Sequence, residues 1–309
     1  MKNIRIGTRG SQLALWQSEF VAARLREEYP DLAVELVKIK TTGDKILDAP
    51  LAKIGDKGLF VKEIEVALLS GDVDIAVHSA KDMPTEIPAE LILAAYLKRD
   101  DPSDALISRR GELLDDLPTG AVVGTSSLRR RAQLAAYRPD LKFVDLRGNV
   151  DTRLRKLDEE NLDAILLSGA GLIRLGWGDR ITERIKPAIV VTAVGQGLIV
   201  IETRQDNAAA REMVAFLDDA ETSTCVRAER IFSDAIGGGC QVPMGAYAVL
   251  DGANLHMDAV VASVDGTRVL RDEIEGPAAD AQRLALEMAG RLLDAGARDI
   301  LDEIRQECE

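Results

Sequence analysis

The sequence predicts an α/β protein in three domains: two similar βαβ-type units followed by a small α+β domain with an antiparallel sheet. Three observations carry this. Near the start, alternating Ile4 and Ile6 precede a helical stripe of apolar residues and a second strand over 34–39, which is strand–helix–strand order. After Asp100-Asp101-Pro102-Ser103 the same order restarts. From about Ser223 the pattern changes, and Asp251-Gly252 and Asp265-Gly266 sit between alternating segments as hairpin turns do.

The first strand ends at Gly7-Thr8-Arg9-Gly10-Ser11, and the following helix places Leu13, Trp16, Phe20 and Ala23 on one face. Phe60, Ile64, Ala67 and Leu68 mark a second helix, closed by Ser70-Gly71. Val73, Ile75 and Val77 alternate as a strand that runs into His78-Ser79-Ala80-Lys81-Asp82. In the second unit, strands at Ala121-Val122-Val123 and over 143–146 flank a helix from Leu128 to Tyr137, with further apolar runs at 164–167 and 189–191. Leu198-Ile199-Val200-Ile201 returns the chain to the first unit and leaves the second as an insertion. The final helix carries Leu284, Met288, Leu292 and Ala295 on one face. The expected domains are therefore 1–99 with 196–217, then 102–192, then 220–309.

The balance of residues removes several function classes. A net charge of −13 argues against a general nucleic-acid binder, which carries a basic domain. Cys225, Cys240 and Cys308 are odd in number and lack CxxC spacing, so they suggest neither a disulfide framework nor a zinc site. Neither HxxxH nor HExxH spacing occurs with His78 and His256, and no metal is expected. The uncharged stretch from Pro187 to Ile201 is broken by Gly195-Gln196-Gly197 and is too short to span a bilayer. The N-terminus carries no apolar signal region. The expectation is a cytoplasmic monomer that binds neither nucleic acid nor membrane.

Chemistry concentrates at strand ends. Gly237-Gly238-Gly239 makes a flexible turn with Cys240 at its tip and Pro243 stiffening its exit. Taken alone, that Cys reads as a small buried apolar residue. Between Gly124 and Lys156 nine Lys or Arg face three acids, a local imbalance in an acidic chain. Thr125-Ser126-Ser127 before a helix offers hydroxyls and free N–H groups to an anion, whereas Arg129 and Arg130 oppose the helix dipole unless an anion neutralises them. A solvated basic helix face explains the same residues about as well. Asp82 reads as an N-cap or surface pair with Lys81, or as an ionised carboxylate that stabilises a developing cation. Gly55-Asp56-Lys57-Gly58 lacks P-loop spacing and is weak support for nucleotide binding. A Cys/His hydrolase built on Cys240 is a poor fit, because His256 falls within an alternating strand and His78 reads as a packed strand-end residue.

Eight stretches in one order resemble the porphobilinogen deaminase family. They are Thr8-Arg9-Gly10-Ser11, Thr42-Gly43-Asp44, Gly58-Leu59-Phe60-Val61-Lys62-Glu63, the His78 to Pro84 segment, the Gly124 to Arg130 segment, Arg147-Gly148-Asn149-Val150, Val194-Gly195-Gln196-Gly197 and the Gly237 to Pro243 loop. The resemblance covers nearly the whole chain. It implies first and second domains like the lobes of a periplasmic binding protein, and a dipyrromethane cofactor joined by a thioether to Cys240. The implied reaction joins four porphobilinogen units head to tail with loss of ammonia, then releases linear hydroxymethylbilane by hydrolysis. The catalytic residues implied are Asp82, Lys81 and Lys57. The cofactor would be held by Cys240, Asp82, Lys81, Thr125, Ser126, Ser127, Arg129, Arg130, Gly171 and Asp44. The substrate would meet Arg9, Ser11, Phe60, Arg147, Arg153, Arg174 and Gln196. Leu198-Ile199-Val200-Ile201 departs from the smaller residues usual in the family and implies a repacked hinge between the first two domains. The rival class is a non-catalytic polycarboxylate binder, which leaves the Cys240 loop idle.

Overall fold

A computed structural model of the chain describes residues 2–45, 58–238 and 242–308. They fall into two compact units. The first unit holds the strands β1 (Asn3–Thr8), β2 (Ala33–Lys38), β3 (Ile75–Ser79) and β4 (Leu91–Tyr96). The second holds β5 (Asp104–Ser108), β6 (Val122–Gly124), β7 (Lys142–Val144), β8 (Ala164–Ser168) and β9 (Glu183–Ile185). Strand β10 (Ile199–Arg204) lies in the first unit, whereas β11 (Met244–Asp251), β12 (Asn254–Ala262) and β13 (Val269–Pro277) belong to the second.

In the first unit the sheet order is β2-β1-β3-β10-β4. Strand β1 runs parallel to β2 and β3, whereas β10 is antiparallel to both β3 and β4. The apolar run at 198–201 does return the chain to this sheet, and Leu198 through Ile201 are all buried there. The N-terminal helix Gln12–Glu28 buries Ala14, Gln17, Ser18, Val21, Ala22 and Leu25. The expected stripe of Leu13, Trp16, Phe20 and Ala23 is therefore displaced by one position. Both stripes have helical spacing, and the smaller side chains let the helix lie closer to the sheet. Trp16 and Phe20 instead stack on each other at 5.4 Å, with Phe20 exposed. The second helix, Lys62–Ser70, begins after Phe60. It stops at Gly71, whose φ of 77° suits a residue without a Cβ.

The second unit contains two sheets. One has the order β7-β6-β8-β5-β9, with β6 parallel to β7 and β8, and β5 antiparallel to β8 and β9. The helix Leu128–Tyr137 follows β6 as expected. The strand expected over 143–146 is shorter, because Asp145 and Leu146 lie beyond β7. The other sheet is antiparallel β11-β12-β13, with Asp251-Gly252 turning the first hairpin. Beneath it, Leu284, Met288 and Leu292 are buried as expected, but Ala295 is exposed and Ala297 takes the buried position. The helix breaks at Gly296, whose φ of 105° is non-helical, so the kink between Leu293 and Ala297 turns the buried face there. Among the described residues, no helix is long and apolar enough to cross a membrane.

Candidate active site

In the first unit, β3 runs directly into a 3₁₀ turn, Ala80–Asp82. The Ala80 N–H donates to the Leu198 carbonyl at 3.0 Å, and Gln17 Nε2 donates to Ser79 Oγ at 2.9 Å. The turn is thus fixed from β10 and from the N-terminal helix. Lys81 and Asp82 are half-buried at the carboxyl end of the strand, and Met83 beyond them is buried. That is where open α/β sheets hold ligands.

Arg9 leaves the end of β1 and donates to Asp44 Oδ1 through Nη2 at 2.6 Å and Nε at 3.1 Å. Its guanidinium also lies 4.0 Å from the centre of the Phe60 ring. Burial raises the Asp44 carboxyl, but Arg9 and the Thr41 hydroxyl outweigh it, so the group sits below its ordinary value. Arg9, Asp44 and Phe60 therefore form one unit, in which Asp44, expected at the cofactor, supplies the carboxylate that pairs with Arg9. Ser11 caps the N-terminal helix by accepting from the Ala14 N–H. Gly43 lies against the Phe60 ring, and a Cβ there would also stand 2.9 Å from the Leu59 carbonyl. Gly43→Ala is therefore expected to push the ring off Arg9 and to raise KM several-fold, measured by steady-state kinetics alongside the melting temperature.

In the second unit, Arg129 and Arg130 are buried and share Asp104. Arg129 Nη1 meets Asp104 Oδ2 at 2.6 Å and Nη2 meets Oδ1 at 3.0 Å, while Arg130 Nε meets Oδ1 at 2.7 Å. Arg129 also donates to the Val191 carbonyl and Arg130 to the Leu166 carbonyl. Gln196 Nε2 completes the cluster, donating to Asp104 Oδ1 at 3.0 Å and to the Pro102 carbonyl at 2.7 Å. Burial would raise the Asp104 carboxyl, yet the two guanidiniums hold it far below the usual carboxylate range. The counter-charge expected from a ligand thus comes from within the chain. Sequence reasoning missed Asp104. The available signal was an acid opening Asp104-Ala105-Leu106-Ile107-Ser108, every residue of which is buried.

The hydroxyls before that helix also have internal roles. Ser126 donates to the Leu146 carbonyl at 2.8 Å, Ser127 accepts from the Arg130 N–H, and Thr125 Oγ1 accepts from the Ser127 N–H. Arg153 Nε donates to the Gly148 carbonyl, and Arg174 Nη2 to the Gly197 carbonyl. Gly171 is buried in the short helix Gly169–Arg174. Arg147 differs from these. Its Nη2 is buried with no hydrogen-bond partner, and desolvation lowers its pKa despite the nearby Asp145. An unsatisfied buried donor costs about 1–3 kcal/mol, and a ligand carboxylate would remove that cost. Arg147 therefore fits an acidic ligand.

Cys240 and Lys57 lie outside the described residues, and the approach to Cys240 is described as far as Gly238. The helix Ala220–Ala235 ends there: Gly238 N–H donates to the Ser233 carbonyl and Gly237 N–H to the Asp234 carbonyl, with Gly237 at φ 70°. This is a Schellman ending. A Cβ at Gly238 would stand 2.9 Å from the Ser233 carbonyl. The first two glycines thus terminate a helix tightly, in place of the flexible turn that three glycines suggest.

Comparison with known proteins follows the same lines. Residues 4–212 match the family model "Porphobilinogen deaminase, dipyromethane cofactor binding domain", and residues 223–294 match "Porphobilinogen deaminase, C-terminal domain". The chain belongs to the porphobilinogen deaminase family. It is 52% identical over 305 residues to the porphobilinogen deaminase of Geobacter metallireducens, covering 99% of this chain and 96% of that one. It is 51% identical over 306 residues to that of Pelotomaculum thermopropionicum, covering 99% and 98%. Among solved structures, lipoprotein Tp32 from Treponema pallidum superposes with a TM-score of 0.43 at 13% identity, over 75% of this chain and 95% of that one.

Proposed function

We propose that Asp82 is the carboxylate at which the family's reaction takes place in this chain. The activity is hydroxymethylbilane synthesis: four porphobilinogen molecules are condensed head to tail with loss of ammonia, and the linear product is released by hydrolysis. The cofactor of the family is dipyrromethane, which supplies when bound the pyrrole terminus that the first substrate unit extends. The observation that carries the residue assignment is the Ala80–Asp82 turn at the end of β3, fixed from β10 and the N-terminal helix.

Asp82 is half-buried there, so its charge is screened less than on an open surface. An ionised carboxylate in that place stabilises the positive charge that develops on the substrate as ammonia leaves. Lys81 beside it supplies an ammonium for a pyrrole carboxylate. Arg147 offers its unsatisfied Nη2 to an acetate or propionate side chain. Arg9 is held by Asp44 and Phe60 so that a substrate carboxylate must compete with Asp44 for it. Arg129, Arg130 and Gln196 build the frame around Asp104, and Thr125, Ser126 and Ser127 present the helix start for the cofactor. Cys240 carries the thioether, and Lys57 joins Lys81 and Asp82 as a catalytic residue. The chain acts as a cytoplasmic monomer without nucleic acid.

The deciding experiment is the intact mass of freshly purified protein with peptide mapping around Cys240. An excess of two linked pyrrole units on that residue, absent from Cys240→Ser, is the expected result. An unmodified mass that does not change on incubation with porphobilinogen overturns the assignment.

A further inference from the structure

Beside the turn that carries Asp82, the first unit buries a group of ionisable side chains that the reaction does not use. His78 on β3 and Glu202 on β10 face each other diagonally across the antiparallel pair, with Nε2 to Oε2 at 3.1 Å. Both are sealed from water, at 5% and 0% exposure. Glu65, from the helix Lys62–Ser70, is 9% exposed and acts on the same pair. Glu202 Oε1 and Glu65 Oε1 are both buried without a hydrogen-bond partner. The cluster continues the apolar layer of Ile64, Leu68, Val73 and Ala76.

Two carboxylates around one imidazole cannot all be compensated. With both ionised, the cluster is negative even when His78 is protonated, and buried unpaired charge is costly. Burial and the Glu202 charge push the Glu65 carboxyl up to about 7, against the opposing effect of His78. Among the described residues, the charges that act on Glu65 are those of Glu202 and His78. Arg204 on β10 and Arg5 on β1 reach the far end of the helix, where they bond the Leu68 and Gly71 carbonyls, and Arg5 is paired with Asp74.

We propose that Glu65, His78 and Glu202 form a buried proton-holding cluster that positions the Ala80–Asp82 turn, with Glu65 as the residue whose proton keeps Asp82 seated. His78 stands two residues before Ala80 on the same strand, and Ala80 is bonded to Leu198 at the entry to β10. Loss of the Glu65 proton adds a negative charge that the single imidazole cannot also compensate between β3, β10 and the helix, and the strand end must shift to hydrate it. This rests on the reading of Asp82 as the reacting carboxylate. Glu65 is then a positioning residue.

The sign follows from the raised pKa. The folded chain keeps a proton that the unfolded chain releases near 4.5, so stability declines as pH rises from about 4.5 to about 7 and is level above that. Glu65→Gln removes the decline. In cofactor-loaded protein, kcat should fall about tenfold per pH unit above about pH 7 with KM unchanged, and Glu65→Gln should move that fall upward by at least about one unit. A wild-type minus Glu65→Gln infrared difference spectrum at about pH 6 should show the C=O stretch of a protonated carboxylic acid.

Identical melting-versus-pH curves for the two proteins, with no such band, overturn the cluster. An unmoved kinetic limb in Glu65→Gln, with turnover lost in Asp82→Asn, overturns the positioning role. If Asp82→Asn keeps its turnover, the Asp82 reading fails and the positioning role fails with it, whereas the melting and infrared results judge the cluster by themselves. Should Glu65→Gln not fold, Glu202→Gln serves instead. It removes the neighbouring charge and should end the stability decline at lower pH, and an unchanged end-point overturns the cluster.

Discussion

Asp82→Asn is expected to lower turnover roughly a hundred- to thousandfold while leaving stability within about 0.5 kcal/mol of the parent. The substitution keeps the shape of the side chain, removes the negative charge and turns one acceptor oxygen into an NH2 donor. The turn that presents it is fixed by the Ala80 backbone and by Ser79, and neither bond involves the Asp82 carboxylate. Ammonia release in a single turnover, measured on protein whose mass confirms cofactor loading, reads the chemical step directly. Turnover within a few-fold of the parent would remove Asp82 from the reaction. A large loss of melting temperature would show that it holds the fold instead.

Asp104→Ala should act in the opposite way, on the fold before the chemistry. It strips the counter-charge from two buried guanidiniums, a change that costs about 3–5 kcal/mol. Asp104→Asn keeps the acceptor oxygen and should lose less. The pH dependence has a definite sign. Because the folded carboxyl is held below its ordinary value of 3.8, its contribution is complete above that value and is lost as pH falls through and below it. Denaturant unfolding at neutral pH should therefore separate Asp104→Ala clearly from the parent. Acidification should narrow the gap. Equal midpoints at neutral pH would mean that Arg129 and Arg130 find other partners.

The sequence exposed elements wherever an apolar period met a strong stop signal. Ser127 before Leu128 and Gly71 after Ser70 fixed helix ends to the residue. It was less informative where two stripes competed, as in the N-terminal helix, because Leu13 and Trp16 are more apolar than the Ala14 and Gln17 that are buried. Helical spacing assumes an unbroken helix, and the kink at Gly296 leaves Ala295 exposed and buries Ala297 instead. The site was legible as a set of residue types, and Arg9, Asp82 and Arg147 stand at strand ends where the motifs put them. Their partners were not legible. Asp44 for Arg9 and Asp104 for Arg129 and Arg130 are set by pairing between distant strands and loops, and neither pairing leaves a local pattern.

Strand β10 lies between β3 and β4, yet it follows β4 in the chain only after all of β5 to β9. During synthesis the ribosome therefore releases β1, β2, β3 and β4 well before the strand that joins them. Until Arg204 has emerged, β3 and β4 each present an open edge, and the Ala80 N–H lacks the Leu198 carbonyl that it bonds in the finished fold. The nascent first unit must remain protected from edge-to-edge association through that interval. A chain halted near residue 190 should thus be captured by a chaperone and sensitive to protease in its N-terminal part. One extended past Arg204 should not.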